Sequence, residues 1–383
     1  MLDTKNFICD CGSHNIIDTH YTPIGSEKDT KLFFCRDCNS FLSKSRRIKK
    51  MNRKRSISCD ANWGNIRHGK GARLKKNISF FSDVIPETSY SNILDIGSNR
   101  GHFINWLKDK YNPKSITAIE SDNIVYKETT LPFGVKYINN RFENYEFSDN
   151  FSFIYNSHTL EHFENPYSML KKCYKILSND GYMFLEVPNS EIINKQDNLE
   201  EYFIDKHHYH FFSDGLKLKL KQIGFDIVKE SIKDQYNISF VVKKNKKSMP
   251  EITQENKNNI EDYLKKIKEY EFSIKKNRKK LKETCKKINS LCSRQKVAIW
   301  GCSRILDAAL KYGELNNTNI EFVIDNNISK ILKETNGLEV FSSSILYERD
   351  IDAVIVMARS SKQEIIESAR SYGIRHVFGI EQF

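Results

Sequence analysis

Short apolar runs, each closed by a polar or glycine-bearing turn and followed by an amphipathic stretch, recur along most of this chain. Ile93-Leu94-Asp95-Ile96 turns on Gly97-Ser98-Asn99-Arg100-Gly101 and resumes through Phe103, Ile104, Trp106 and Leu107. That pattern predicts a buried strand, a tight loop and the start of a helix. Ile116-Thr117-Ala118-Ile119 predicts a second strand, ending in Glu120, and residues 151–163 a further strand with its following loop. A helix over 166–177, a turn at Asn179-Asp180-Gly181 and a strand over 181–189 follow, then a helix over 214–223. Near the C-terminus the alternation returns. Val297-Ala298-Ile299-Trp300-Gly301 leads into a helix over 305–312, strands at 321–324, 337–340 and 353–357 come next, and a helix over 362–372 closes the series. Strand–helix alternation predicts parallel sheets with ligand crevices at the carboxyl ends of their strands. Between the two α/β regions, residues 251–291 read as one long charged helix. Ile260, Ile267, Ile274, Leu281 and Ile288 recur at every seventh position, with Leu264 and Cys285 beside them, while Glu271 and Arg278 thin the stripe. We read it as a helix packed along its own domains rather than as a dimer zipper.

Composition fits this picture. The 383 residues suggest two or three domains, and 39% hydrophobic with 12% aromatic residues suffice to build cores. No apolar run approaches the roughly 18 residues of a membrane helix, and Met1-Leu2-Asp3-Thr4-Lys5 leads into no signal core. Mean hydropathy is −0.58. We therefore expect a cytoplasmic protein with no membrane partner, as monomer or homodimer. The net charge of +12 invites a nucleic-acid reading, but much of the excess lies in residues 44–55 and 243–296, where aromatics are sparse. These runs read as solvated basic faces.

Candidate chemistry concentrates in three places. The loop after Asp95 lacks the full G-x-G-x-x-G phosphate fingerprint, and Asp95 would repel a pyrophosphate. Asp95, with Glu120 placed to hold ribose hydroxyls about 25 residues on, suits a cofactor with a cationic amino-acid end and a ribose: S-adenosylmethionine. Secondly, Cys9-Asp10-Cys11 and Cys35-Arg36-Asp37-Cys38 are two close thiol pairs able to close a tetrahedral structural zinc site over 1–50, with His14 or His20 as substitutes for a thiol. A four-thiolate site has no open position, so no chemistry is assigned to it. Cys59, Cys173, Cys285, Cys292 and Cys302 read as ordinary thiols. Thirdly, His207-His208-Tyr209-His210 gathers three imidazoles suited to proton abstraction at neutral pH. In the C-terminal region, Gly301-Cys302-Ser303-Arg304 offers an arginine and a helix start for a phosphate.

Across residues 90–242 these motifs resemble, in order and spacing, the class I S-adenosylmethionine-dependent methyltransferases. The resemblance implies an enzyme whose cofactor residues are Asp95, Gly97, Ser98, Gly101, Glu120, Asp122, Phe142 (within Arg141-Phe142-Glu143, where that family lines the adenine), Asn156 and His162. The whole chain is similar to a narrower family, the nucleotide-sugar C-methyltransferases of deoxysugar and surface-glycan pathways. Members carry a cysteine zinc module, a methyltransferase domain, a long helix and a C-terminal Rossmann-like domain. Residues 322–340 (FVIDNNISKILKETNGLEV) resemble that family's strand-Asp-Asp-Asn-Pro-x-Lys segment, and residues 206–213 its H-E-H-x-x-Y-F-S motif. The expected fold is thus α/β, divided as zinc module 1–50, methyltransferase domain 51–245, linker helix 246–293 and Rossmann-like substrate domain 294–383, with Arg304 and Asp325 touching a small-molecule nucleotide-sugar substrate. His208 falls on the family's proposed base; His207, Tyr209 or His210 would steady the enolate. Lys206 and His207 replace that motif's histidine and glutamate, and Asp234-Gln235-Tyr236-Asn237 replaces a downstream His-Gly-Gly-Ser. Methylation at oxygen, a zinc-ribbon RNA methyltransferase and a non-catalytic binding protein are the competing expectations.

Overall fold

A computed structural model describes residues 8–23, 30–45, 72–195, 199–204, 206–232, 235–245, 260–330, 333–358 and 362–383. Cys59, Asp234, most of the 44–55 basic run and the first part of the 251–291 helix lie outside them. The chain divides into two compact units, Met1–Gln196 with Tyr202–Glu269, and Asp197–Glu201 with Tyr270–Phe383.

The first unit opens on three short strands, β1 (Ile16–Asp18), β2 (Thr30–Cys35) and β3 (Ser40–Ser45). After α1 (Ala72–Phe81) come β4 (Asn92–Ile96), α2 (His102–Lys110), β5 (Ser115–Glu120), α3 (Asn123–Glu128) and β6 (Val135–Asn139). Next are β7 (Phe151–Ser157), α4 (Pro166–Ile176), β8 (Leu177–Pro188), β9 (Tyr209–Phe211), α5 (Ser213–Ile223), β10 (Phe225–Glu230) and β11 (Asn237–Lys244). Seven of these strands form one sheet in the order β10-β11-β8-β7-β4-β5-β6, in which β11 alone runs against the others. Strand order reverses between β4 and β7, which places a crevice at their carboxyl ends.

Alternation along these strands decides what each face buries. Leu94, Ile96, Ile154 and Leu185 pack on one side with Leu170, Leu216 and Leu220 from α4 and α5. Ile93, Phe153 and Phe184 pack on the other with Phe81, Phe103 and Leu107 from α1 and α2. Both faces are apolar, as a sheet covered by helices requires. Asn179-Asp180-Gly181 is not the turn expected from sequence. β8 runs through it, and the mismatch is absorbed as a register shift against β7 between Phe151 and Phe153.

The N-terminal strands form a second, antiparallel sheet, β1-β2-β3-β9. Its last strand arrives from far along the chain: Leu42 pairs with Tyr209 and Phe41 with His210. Asp10 accepts hydrogen bonds from Tyr167 N (2.6 Å), Ser168 N (3.0 Å) and Ser168 Oγ (2.8 Å). It thereby caps α4, whose own N-cap residue, Asn165, makes no side-chain cap bond.

The long helix α6 (Ile260–Cys292) begins in the first unit and ends in the second. Its seventh-residue stripe is buried within the single chain at Ile267, Ile274, Leu281 and Ile288. In the second unit, α6 is followed by β12 (Val297–Trp300), α7 (Arg304–Tyr312), β13 (Val323–Ile324), β14 (Glu334–Thr335), β15 (Leu338–Phe341), β16 (Ala353–Val356), α8 (Lys362–Ser371) and β17 (His376–Gly379). The sheet order is β14-β15-β13-β12-β16-β17, parallel apart from β14. No helix among the described residues is long and apolar enough to cross a membrane.

Candidate active site

The loop between β4 and α2 is shaped by what surrounds it. Gly97 has φ +73°, and a Cβ there would stand 2.4 Å from Thr159 Oγ1, whose hydroxyl is fixed on the Ile96 and Ser157 carbonyls. Only glycine fits that cradle. Asn99 N and Asp122 N donate to the two Glu120 oxygens, at 2.9 and 2.8 Å, so the acid at the tip of β5 also ties the loop in place. Burial raises the Glu120 carboxyl above the usual range. Asp95, only 2% exposed, is pushed further up by burial and by the charge of Glu120. Two acids under that strain favour a cationic or hydrogen-bonding partner.

A cleft of about 260 Å³ opens beside the loop, lined in part by Ile96, Gly97, Ile119, Phe142, Thr159 and His162. Next to Ile96 in register, at the tip of β7, Asn156 is fully buried, and neither its amide nitrogen nor its amide oxygen has a hydrogen-bond partner. Such a group is costly unless something binds it. Ser98 Oγ is also buried without a partner. Asp122 accepts from Val125 N, and Gly101 (φ +70°) starts α2. The expected cofactor residues are therefore gathered around the carboxyl ends of β4, β5 and β7.

The histidine run is divided by strand geometry. Tyr209 is buried, accepting a hydrogen bond from Asp10 N at 3.1 Å with its hydroxyl 3.5 Å from Cys9 Sγ, so it belongs to the cysteine cluster. His210 is buried with Nε2 2.9 Å from Ser43 Oγ, and burial drives its pKa well below the ordinary value. None of the four residues 207–210 lines the cleft itself; His207 approaches Glu161, with Nε2 4.0 Å from Oε1. Burial lowers the His207 imidazole to about 3. His208 N donates to the Glu161 carbonyl at 2.8 Å.

Glu161, which sequence reasoning did not single out, is the centre of this region. It is 1% exposed, and around it stand His158 Nδ1 at 3.4 Å, His162 Nε2 at 3.9 Å and His207. Burial works to raise its carboxyl, but the imidazoles, His158 above all, hold it ionised at about 2. His158 adopts φ +51° and also approaches Glu186, with Nε2 4.0 Å from Oε2. The spacing His158-x-x-Glu161-His162 was the available signal. It is hidden because these residues sit on a turn whose direction only the fold reveals.

The four cysteines come together. Cys9 Sγ lies 3.7 Å from Cys38 Sγ and Cys11 Sγ 3.6 Å from Cys35 Sγ, and all four sulfurs are within 4.8 Å of one another. Four thiolates on a tetrahedral zinc with ~2.3 Å bonds would be spaced about 3.8 Å apart. The donor set therefore fits. His20 faces outward, its side chain 89% exposed beside Asp18. Cys173, Cys285, Cys292 and Cys302 are separate buried thiols.

In the second unit, Asp325 accepts from Cys302 N (3.2 Å), Asn327 N (3.0 Å) and Ile328 N (2.9 Å). Arg304 makes an exposed ion pair with Glu200 at 3.6 Å. A hollow of about 410 Å³ in this unit is lined by Ser329, Lys330, Lys333, Phe341 and Ser342 among others, and by neither Arg304 nor Asp325.

Comparison with known proteins accords with the first unit. Residues 66–230 match a family model described as a methyltransferase domain, and residues 293–377 match one described as C2185-like, N-terminal. No curated protein matches the chain. Among solved structures, a Listeria monocytogenes protein described as an S-adenosylmethionine-dependent methyltransferase is 15% identical, covering 45% of this chain and 99% of its own, with a TM-score of 0.38. A Mesorhizobium loti S-adenosylmethionine-dependent methyltransferase is 12% identical (48% and 97% covered, TM-score 0.36). The plantazolicin methyltransferase BpumL, solved with a desmethyl analogue and SAH, is 16% identical (45% and 91% covered, TM-score 0.36).

Proposed function

We propose, for a chain that is a class I S-adenosylmethionine-dependent methyltransferase, that the acceptor is a nucleotide-linked keto sugar methylated at carbon. The observation that carries this reading is Glu161, a buried, ionised carboxylate ringed by imidazoles next to the cleft. Carbon beside a ketone is no nucleophile until it loses a proton, so such an acceptor requires a base and a stabiliser for the enolate oxygen. His208 is the proposed base, with its backbone anchored on Glu161, and His207 rather than Tyr209 or His210 steadies the developing charge. A neutral imidazole such as His207 keeps one ring N–H, which can donate a hydrogen bond to the enolate oxygen.

The cofactor supplies an electrophilic methyl group on a sulfonium. Asp95 favours its cationic amino-acid end, Glu120 its ribose hydroxyls, and the orphan amide of Asn156 one of its polar edges; Phe142 flanks the adenine. Ser98, Gly101, Asp122 and His162 complete the proposed set. Holding donor and acceptor in line then removes most of the entropic cost of the step. Cys9, Cys11, Cys35 and Cys38 would hold a structural zinc, closed to substrate. We divide the chain as proposed from sequence, at 50, 245 and 293, with residues 294–383 as substrate domain. Asp325 and Arg304 would contact the substrate from this domain beside the internal partners each already has.

Incubating the protein with labelled cofactor and a panel of 4-keto nucleotide sugars tests the reading. A new carbon-bound methyl, located by NMR and abolished in His208→Ala, is the expected result. A methyl ether would transfer the same base to a hydroxyl acceptor, while no transfer to any nucleotide sugar would sink the substrate class.

A further inference from the structure

Two buried glutamates lie close together in the first unit and are treated in opposite ways. Glu186, 3% exposed, accepts from Ser157 Oγ at 2.5 Å, Asn77 Nδ2 at 2.9 Å and Asn237 Nδ2 at 2.7 Å. Glu161, 1% exposed, accepts no hydrogen bond at either carboxylate oxygen. A buried carboxylate left so is expensive.

Three ring nitrogens face Glu161, none at an ordinary hydrogen-bond length. His158 Nδ1 is 3.4 Å, His162 Nε2 3.9 Å and His207 Nε2 4.0 Å from Oε1, all longer than the usual ~2.7–3.2 Å. The other nitrogen of His162, Nδ1, lies 3.1 Å from the Lys206 carbonyl oxygen. A carbonyl only accepts, so Nδ1 carries the hydrogen, and Nε2 of the neutral ring presents a lone pair. A lone pair aimed at a carboxylate oxygen is repulsive unless a cation stands between them. Second-shell bonds of this kind orient metal-binding histidines. The ligand atoms of Glu161, His162 and His207 all lie within 4.8 Å of one another. A tetrahedral ion with ~2.0–2.1 Å bonds spaces such atoms about 3.3–3.4 Å apart, so closure shortens each Glu161–imidazole distance by about half an ångström and the separation of the two rings by at most about 1.5 Å.

We propose that Glu161, His162 and His207 bind a divalent transition-metal ion. Two imidazoles and one carboxylate select a borderline ion such as zinc or ferrous iron over magnesium or calcium. Three protein ligands leave a position open, as catalytic rather than structural metal sites do, and His162 lines the cleft. The role of the ion rests on the function proposed above. The ketone or hydroxyl oxygen of the acceptor would fill the open position with a lone pair. As the C–H or O–H bond breaks, its proton passes to the base and its electron pair is stabilised on that oxygen. Nothing is oxidised or reduced.

Cobalt(II) titration of the full chain, stripped of metal under reducing conditions, is the test. We expect two equivalents: one with thiolate-to-cobalt charge-transfer bands from the four cysteines, and one with ligand-field bands alone. His162→Ala and His207→Ala should each keep the first and weaken the second by at least about tenfold. His162 has a side chain 42% exposed, so its variant should fold, with circular dichroism as the check. One equivalent in the unmutated chain, or a second equivalent surviving unweakened in both variants, overturns the proposal. Calorimetry with S-adenosylmethionine on the same samples separates the two readings. Tight cofactor binding and full transfer to an acceptor without the second cobalt would remove the ion's catalytic role and leave the function standing. Absence of cofactor binding would remove the function whatever the cobalt count.

Discussion

The two parallel sheets obey the same construction rules and end their strands differently. At the tips of β4, β5 and β7, polar groups are buried and left in want: Asn156 has no partner, Asp95 is pushed up by burial, and Ser98 Oγ is alone. At the corresponding edge of the C-terminal sheet the polar groups satisfy one another. Asp325 accepts three backbone N–H groups, and Ser303 caps α7 by accepting from Ile305 N and Leu306 N. Unpaired burial is tolerated where a ligand repays it; complete pairing marks architecture. The contrast makes the first sheet a binding platform and the tip loops of the second largely self-contained.

Substitutions should separate the two cleanly. The largest effect is expected from Glu120→Ala, which should weaken S-adenosylmethionine binding by ~100-fold, or about 3 kcal/mol; unchanged affinity by calorimetry would remove the ribose assignment. Acid should break the units apart next. His207 is held at about 3 and His210 well below its ordinary value, both by burial, so both are neutral when folded. The unfolded chain takes up a proton on each near pH 6.5, so their stabilisation is complete above that pH and is lost as pH falls from about 6.5 towards 3. The slope is up to ~1.4 kcal/mol per pH unit for each histidine. The second unit has one histidine, His376, in an exposed position. Thermal melts at pH 5 should therefore show the first unit unfolding earlier, and coincident transitions would contradict the burial of those imidazoles. Asn156→Leu should raise stability by about 1 kcal/mol while weakening the cofactor by ~10-fold, a trade that a purely structural asparagine would not show. The smallest effect, about 1 kcal/mol of stability with cofactor affinity untouched, is expected for Asp325→Ala. A loss of cofactor binding there would end the contrast between the sheets.

Much of this was legible in the chain. Asp95, the glycine loop and Glu120 announce themselves because strand, turn and acid are consecutive residues, and local chemistry decides them. The cysteine pairs were readable for the same reason. The histidine run was not, because consecutive residues of a strand point to opposite sides. Tyr209 turns to the cysteines and His210 to Ser43 once β9 pairs with β3, a contact that joins residues 42 and 209 and has no local signature. Glu161 escaped notice because its importance lies in missing partners, which a sequence does not display. The turn expected at 179–181 became an irregularity within β8: its pairs with β7 pass from Leu177 directly to Tyr182 and those with β11 begin at Tyr182, so Asn-Asp-Gly is accommodated between paired residues of one strand.

The hydroxyl of Tyr209 beside Cys9 ties the ribbon bearing His207 and His208 to the tetrathiol knot. An oxidant or chelator that undid the knot would slacken that ribbon from behind, without touching a single group in the cleft. Methyl transfer in this protein should accordingly fade with thiol oxidation and return on reduction.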